Sequence, residues 1–199
     1  MSDKNKQRGQ RAENSETTSD LKNKTLTENS TKEQVVSEDS NISLISQIES
    51  VTILGNLIDE LTEYSVKSMP REAIGLLGGK ELRPNEIEIL KIIFVSEGDE
   101  ISVSFSEEDF KFFEDILEDD CYCLGWWHSH PGYGLFLSQT DINTHIFSFQ
   151  LHNALSVALV IEPTIVDMTG RAAFQFYQVI GENRKDSFRY KEIASYIQR

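Results

Sequence analysis

Two histidines separated by one residue, His128 and His130, have the spacing of a pair of metal ligands. They close a predicted strand, and because residues i and i+2 of a strand project to the same side, both imidazoles can reach one ion. Asp141 follows eleven residues after His130, across a glycine-containing loop that can fold back over the strand end. Two imidazoles and one carboxylate leave zinc a fourth position open for water. The pattern predicts one catalytic zinc ion on His128, His130 and Asp141.

A catalytic zinc site also needs a base that takes the proton from the attacking water. Glu72 follows Pro70, where a predicted helix gives way to a strand, so it belongs at a sheet end like the histidine pair. A carboxylate is an adequate base there, because zinc lowers the pKa of its water to roughly 7. Ser138, three residues before Asp141, could donate a hydrogen bond to the oxyanion. We therefore predict Glu72 and Ser138 as catalytic residues.

Each of these residues also has a purely structural interpretation. Ser138 and Asp141 have the spacing of a capping box, and Leu137 and Ile142 occupy the staple positions beside it. An isolated His-x-His pair is more often a surface or core feature than a ligand pair, and Glu72 alone would be a solvated carboxylate at a helix end. Capping and metal binding are compatible, because a capping serine directs the start of its helix toward the strand ends.

Apolar periodicity and turn residues predict the elements that position this constellation. The first half of the chain is predicted to contain a strand Ser50–Leu54, a helix from Asn56 as its cap to about Met69, a strand Ala73–Leu77 ending in a Gly78–Gly79 turn, and a strand Glu86–Val95. A helix from Ser106 to about Asp119, a strand Cys121–His128 and a helix from Ser138 to about His152 follow. The last elements are strands Ala154–Ile161 and Arg171–Ile180 and a helix Ser187–Gln198. Strands alternate with helices, which predicts an α/β (α+β) fold in which a mixed β-sheet is sandwiched by helices.

The first 40 residues differ in composition from the rest of the chain. Residues 1–40 contain six apolar side chains and no aromatic one, too few to offset the entropy of ordering. We predict a disordered polar tail over 1–40, either a plain solvated extension or a docking segment, and one domain over 41–199. The N-terminus has no apolar targeting segment, and the only cysteines are Cys121 and Cys123. Both features predict a cytoplasmic location.

The net charge of -14 restricts the classes of partner. Residues 1–40 are almost neutral, whereas residues 41–199 carry twelve Lys and Arg against twenty-five Asp and Glu. An acidic surface repels phosphate backbones and anionic lipid heads, so we expect no nucleic-acid partner and no membrane partner. A protein with a basic face remains a plausible partner.

The joint spacing of these motifs resembles that of the JAMM, or MPN-plus, metalloprotease family, over about Ser50 to Ile180. The motifs are Glu72 within Met69–Gly78, then His-Ser-His-Pro over 128–131, then Ser138 and Asp141. The run from Gly125 to Gly134, followed by Leu137-Ser138, is most similar to the proteasome-lid deubiquitinase and the signalosome deneddylase. A compact, archaeal relative would fit the length of the chain.

The resemblance implies an MPN-type fold and a role for each residue. His128, His130 and Asp141 would hold the zinc ion, Glu72 would act as general base and later as general acid, and Ser138 would support the oxyanion. The implied activity is a zinc-dependent isopeptidase that cleaves between the C-terminal glycine of ubiquitin, or a ubiquitin-like protein, and a substrate lysine. The implied partners are that modifier and an MPN-type or proteasome-like subunit.

Three points stay open at the level of sequence. Leu135-Phe136 stands where close eukaryotic relatives have Cys-Trp, which puts their mode of regulation in doubt. The acidic segment Ser96–Phe105 is either an edge that binds the modifier tail by strand addition or a simple connection. The alternative functions are cleavage of a sulfur-carrier or other ubiquitin-like precursor, and an assembly module that is active only with a partner subunit.

Overall fold

Paired strands make up most of the fold in the computed structural model, which describes residues 43–97, 121–182 and 188–199. The elements are β1 (Ser43–Leu44), β2 (Ser50–Leu54), α1 (Gly55–Ser68), β3 (Ala73–Arg83), β4 (Glu86–Glu97), β5 (Tyr122–Ser129), α2 (Gln139–Thr144), a π-helical turn (His145–Gln150), β6 (Val157–Val166), β7 (Ala172–Glu182) and β8 (Arg189–Gln198). Except for β8, where a helix is predicted, and β1, which is not predicted, the order of the described elements agrees with the predicted strands and helices.

The eight strands form one mixed sheet in the order β1-β7-β6-β5-β3-β4-β2-β8, and β8 also pairs with β7. Seven strands, β2 to β8, therefore close into a ring. Strand β2 runs parallel to both β4 and β8, and β5 runs parallel to β6. The other neighbours in the ring are antiparallel. Closure satisfies the strand edges that an open sheet would expose.

Apolar side chains are buried on both faces of this sheet. One core cluster joins the sheet to α1 through Leu57, Ile58 and Leu61. The other joins it to α2 and the π-helical turn through residues that include Ile142 and Ile146. Adjacent residues of a strand face opposite sides, as Trp126 and Trp127 of β5 do, so a single strand contributes to both clusters. The predicted fold, a mixed sheet covered by helices, is confirmed.

The predicted C-terminal helix Ser187–Gln198 is wrong, because Arg189–Gln198 forms strand β8. Its first half pairs with β7 and its second half with β2. The only buried hydrophobic side chain of β8 is Ile193. One buried apolar residue does not show whether the apolar pattern repeats with the period of a helix or of a strand. The open edges of β2 and β7 determine its conformation, and this tertiary pairing overrides local helix propensity.

Other boundaries also differ from the prediction, and β6 spans Val157–Val166 where the prediction is Ala154–Ile161. Gly78 and Gly79 do not end β3, which continues to Arg83 with an irregular register at these glycines. A glycine is needed at position 79 because the backbone of β4 passes close to it, and an added Cβ would overlap the carbonyl oxygen of Glu88. Asn56 does not cap α1, which begins at Gly55 without a side-chain cap hydrogen bond.

The predicted tail over 1–40 and the predicted helix from Ser106 to Asp119 lie outside the described residues, as does the segment 98–105. Within the described ranges, no helix combines the length and the apolar character needed to span a bilayer.

Candidate metal centre

The end of β5 places the two histidines of the motif side by side. His128 lies within the parallel pairing of β5 with β6, opposite Val160, and the backbone N–H of His130 continues that ladder by donating to the carbonyl oxygen of Ile161 at 2.8 Å. Both imidazoles are buried, and their Nε2 atoms are 2.9 Å apart. The strand geometry therefore brings together the two side chains that the spacing predicts.

The capping box at the start of α2 brings Asp141 to the same point. The hydroxyl of Ser138 accepts a hydrogen bond from the backbone N–H of Asp141 at 3.2 Å, and Asp141 Oδ2 accepts one from the N–H of Ser138 at 2.7 Å. The same Oδ2 atom lies 3.5 Å from Nε2 of His128 and 3.8 Å from Nε2 of His130. Helix capping thus fixes the carboxylate in position to share an ion with both rings.

These three donors fit a zinc ion. Their ligand atoms lie within 4.8 Å of one another, and all three residues are buried. Around a tetrahedral zinc with bonds of about 2.0–2.1 Å, ligand atoms are roughly 3.3 Å apart. The three separations, 2.9, 3.5 and 3.8 Å, lie on either side of that value. Two imidazoles and a carboxylate are also a typical ligand set of catalytic zinc.

Glu72 lies beside this group, between α1 and β3. Its side chain is buried, and Oε1 is 3.9 Å from Nε2 of His130. The next residue, Ala73, donates its backbone N–H to the hydroxyl of Ser129 at 2.9 Å. Ser129 stands between the two histidines, so this hydrogen bond ties the segment that carries Glu72 to the strand that carries the ligands.

The electrostatics of the group favour the protonation state that binds a cation. Burial and, less strongly, the neighbouring charge of His128 lower the pKa of His130 to about 4, although Asp141, the carbonyl of Gly134 and Glu162 oppose the shift. Burial raises the pKa of Asp141, but hydrogen bonds from His128 and Ser138 outweigh it and hold the pKa at about 2. At neutral pH, His130 is therefore a neutral imidazole and Asp141 a carboxylate, which are the forms that coordinate metals.

A sequence model of the JAB1/Mov34/MPN/PAD-1 ubiquitin protease family matches residues 46–153, more than half of the chain. The chain belongs to this family. The resemblance to JAMM proteins and the MPN-type fold are thereby confirmed, and the family match covers Glu72, Ser138 and the three candidate ligands.

Two relatives of this MPN protein illustrate the match. Ubiquitin carboxyl-terminal hydrolase RPN11 of Saccharomyces cerevisiae is 28% identical over 137 residues, which cover 66% of this chain and 44% of the relative. COP9 signalosome complex subunit 5 of Debaryomyces hansenii is 28% identical over 121 residues, which cover 57% of this chain and 25% of the relative. The MPN chain thus spans less than half the length of these relatives.

The solution structure of protein DSY2949 from Desulfitobacterium hafniense has a similar fold. It superimposes with a TM-score of 0.51 over 74% of this MPN chain and 94% of that chain, at 19% sequence identity. At this identity the likeness concerns the fold alone.

Sequence reasoning about this MPN domain missed Glu162, a buried carboxylate in β6 that binds the loop after His130. A signal was present, because Glu162 is a lone charged residue at the end of the apolar run Val157–Ile161. A charge in that position also fits an ordinary strand end. Its hydrogen-bond partners Gly132 and Gly134 are 30 and 28 residues away in the chain, so no local pattern identifies them.

Aromatic side chains pack against the two histidines of the candidate metal site and hold their rings in place. Trp126 stacks on His128 with ring centroids 4.5 Å apart and an interplanar angle of 11°, and its Nε1 donates to Nδ1 of His145 at 3.3 Å. Phe136 contacts His130 with a centroid distance of 4.9 Å and is 36% exposed. Phe136 is therefore a partly exposed ring against His130.

Proposed function

We propose that this protein is a zinc-dependent isopeptidase that hydrolyses the bond between the C-terminal glycine of ubiquitin, or a ubiquitin-like protein, and a substrate lysine. The observation that carries the proposal is the convergence of Glu72 with His128, His130 and Asp141 in one buried cluster. A buried carboxylate beside a three-ligand group is what hydrolysis by activated water requires, whereas a structural zinc site has four protein ligands.

The family supports the choice of substrate class. The matched model is described as a ubiquitin protease, and the yeast relative is named a ubiquitin carboxyl-terminal hydrolase. A Dictyostelium discoideum relative, 30% identical over 120 residues, is named a probable ubiquitin thioesterase. The shared substrate class in these names is ubiquitin, so a ubiquitin-type Gly-Gly tail is the first substrate to test.

Other names support a partner subunit. A Candida glabrata relative, 28% identical over 137 residues, is named a 26S proteasome regulatory subunit, and the Debaryomyces hansenii relative is named a COP9 signalosome subunit. We propose that an MPN-type or proteasome-like subunit binds this protein. In that case the isolated chain would cleave slowly and the complex would cleave fast.

In the proposed mechanism, zinc would be held by His128, His130 and Asp141 and would supply a Lewis acid that polarises the scissile carbonyl and acidifies water. Glu72 accepts the proton of the attacking water at its carboxylate and later delivers it to the leaving lysine amine. Ser138 accepts the N–H of Asp141, so its own hydroxyl proton is available to the oxyanion. Burial excludes bulk water from the cluster, which strengthens each of these interactions.

The proposal is tested by cleavage of a substrate panel with zinc-loaded and chelator-treated protein. The panel contains isopeptide-linked di-ubiquitin, a linear ubiquitin fusion and a ubiquitin-like precursor whose Gly-Gly is followed by further residues, each with and without candidate MPN partners. We expect zinc-dependent cleavage of the isopeptide substrate by wild type, and none by His130→Ala. The exposed-surface variant Glu49→Gln is the matched control and should cleave like wild type.

Any other pattern of cleavage across the substrate panel would contradict the isopeptidase proposal. Cleavage confined to the precursor with residues after Gly-Gly would identify a processing enzyme for sulfur-carrier or related proteins. Absence of cleavage under every condition, partners included, would leave an assembly module. Full activity after complete zinc removal would exclude the metal mechanism.

A further inference from the structure

Four hydrogen bonds end on the buried carboxylate of Glu162. Oε1 accepts from the backbone N–H of Gly132 and of Thr164, each at 2.9 Å, and from the Thr164 hydroxyl at 2.7 Å. Oε2 accepts from the backbone N–H of Gly134 at 2.7 Å. Glu162 is 1% exposed, so the lost hydration of its charge is replaced by these donors.

Two of the four donors belong to the loop that follows His130. Gly132 and Gly134 have φ angles of 84° and 88°, and an added Cβ at either position would meet no atom within 4 Å. Glycine is therefore needed for the backbone conformation and not for space. That conformation directs both N–H groups at Glu162, so the loop is shaped around this carboxylate.

The same loop holds the ring of His130. The carbonyl oxygen of Gly134 lies 3.2 Å from Nδ1 of His130. A carbonyl can only accept, so this hydrogen bond requires the proton on Nδ1 and leaves the lone pair on Nε2, the atom that faces His128 and Asp141. Glu162 binds the N–H of Gly134, and the carbonyl of Gly134 binds His130, so one residue links the carboxylate to the ligand.

We propose that Glu162 is a positioning residue that sets the orientation and the tautomer of His130, and through them the affinity for zinc. This inference rests on the metal site proposed above. Outer partners of metal-binding histidines typically change metal affinity about 10- to 100-fold when they are substituted. Glu162 would act one step further out, through the backbone N–H and carbonyl of Gly134, with the strength of a charged acceptor.

The test measures zinc dissociation constants of folded protein by competition with a chelating dye, in wild type, Glu162→Gln and Glu162→Asp. Glu162→Gln keeps the side-chain volume but places an NH₂ donor among N–H donors, so we expect affinity to fall about 10- to 100-fold. Glu162→Asp keeps the charge and should retain more affinity than Glu162→Gln. The matched control is Glu81→Gln, an exposed carboxylate that accepts from the N–H of Asn85 in a remote turn.

A second readout separates positioning from simple stabilisation. Long-range ¹H–¹⁵N NMR of the zinc-free protein at neutral pH reports which ring nitrogen of His130 carries the proton. Wild type should hold the proton on Nδ1, and Glu162→Gln should populate both tautomers. A role confined to stability would lower the melting temperature of the zinc-free protein but change neither the tautomer nor the affinity.

The outcomes distinguish this inference from the proposed function. Wild type that binds zinc, together with a folded Glu162→Gln whose affinity and tautomer are unchanged, overturns the positioning role and leaves the metal site intact. If Glu162→Gln does not fold, Glu162→Asp decides, because its carboxylate is one methylene further from the loop: weaker zinc binding than wild type supports the positioning role, and unchanged affinity and tautomer overturn it. Wild type that binds no zinc overturns the metal site itself, and the positioning role with it.

Discussion

Asp141 lies both in the capping box of α2 and in the candidate ligand group. Its Oδ2 atom accepts the cap hydrogen bond from Ser138 and also faces Nε2 of His128 at 3.5 Å. The capping box fixes the rotamer of the carboxylate, and the histidines then meet it in a defined place. The motif spacing could predict this residue because capping and metal binding demand the same local geometry.

Substitutions at the two ends of the capping box should separate these roles. Asp141→Asn keeps an oxygen that accepts from Ser138 N–H but loses the charge, so zinc affinity should fall by more than the roughly 100-fold upper range of outer-partner substitutions. Ser138→Ala removes the acceptor for Asp141 N–H and should lower the unfolding free energy by about 1 kcal/mol. Zinc titration and urea unfolding measure the two effects. Equal zinc affinity in Asp141→Asn and wild type would contradict the ligand role.

Ser129 should be needed for stability although it is not a predicted ligand. Its buried hydroxyl is the partner of Ala73 N–H, which Ser129→Ala would leave unpaired, at a cost of about 1–3 kcal/mol. Urea unfolding checks the value, with the half-buried Ser195→Ala on β8 as the control, which should change stability by less than about 0.5 kcal/mol. Equal effects of the two substitutions would contradict the role of this hydrogen bond.

At the scale of elements, the sequence predicts a strand or helix where its apolar pattern or capping motif is strong, and fails where the pattern is weak. β5 and α2 are predictable because the first is an apolar run that ends in a motif and the second carries a capping box. β8 is not predictable, since its conformation depends on the edges of β2 and β7, far away in the chain. Glu162 is not predicted for the same reason, because its partners in the loop after His130, Gly132 and Gly134, are distant in sequence.

Strand β8 can be tested through its one buried apolar residue. Ile193 is 2% exposed in the core beside β7, whereas Ile197 on the same strand is 40% exposed. Ile193→Ala should therefore reduce the unfolding free energy by about 2–4 kcal/mol, and Ile197→Ala by less than about 1 kcal/mol. Chemical denaturation gives both numbers. Similar losses for the two variants would contradict the observed pairing of β8.

The π-helical turn should make stability depend on pH through His145. Burial lowers the pKa of His145 to about 3, against 6.5 for the exposed side chain, with Gln150 and Ser156 opposing that shift. The unfolded chain therefore takes up the proton first. The stabilisation is complete above pH 6.5 and is lost as pH falls toward 3, by about 2 kcal/mol at pH 5.

Urea unfolding of zinc-free protein at pH 7.5 and pH 5 measures this loss. His145→Gln, which keeps an acceptor for Trp126, should lose about 2 kcal/mol less than wild type between the two pH values. The loss of unfolding free energy between the two pH values is measured for each protein. Subtracting one loss from the other removes the contribution of the other titrating groups. The same pH dependence in both proteins would show that His145 is not buried in its neutral form.

At the scale of the whole molecule, the ring of strands brings the candidate site residues together. The start of β3, the end of β5 and the end of the apolar part of β6 meet at one edge, because β3 and β5 are antiparallel and β5 and β6 are parallel. Glu72, the histidines and Glu162 therefore come from three neighbouring strand ends. The net charge of -14 acts at the same scale and favours a substrate with a basic face.

The most direct test of the central claim measures zinc content and di-ubiquitin cleavage on the same samples of wild type and Glu72→Gln, in the presence of the partner if one is required. Glu72 is buried beside the ligands without being one of the three, so Glu72→Gln should keep about one zinc per chain. Loss of the base should slow cleavage by about 100-fold or more. Wild-type activity in zinc-loaded Glu72→Gln would contradict the account.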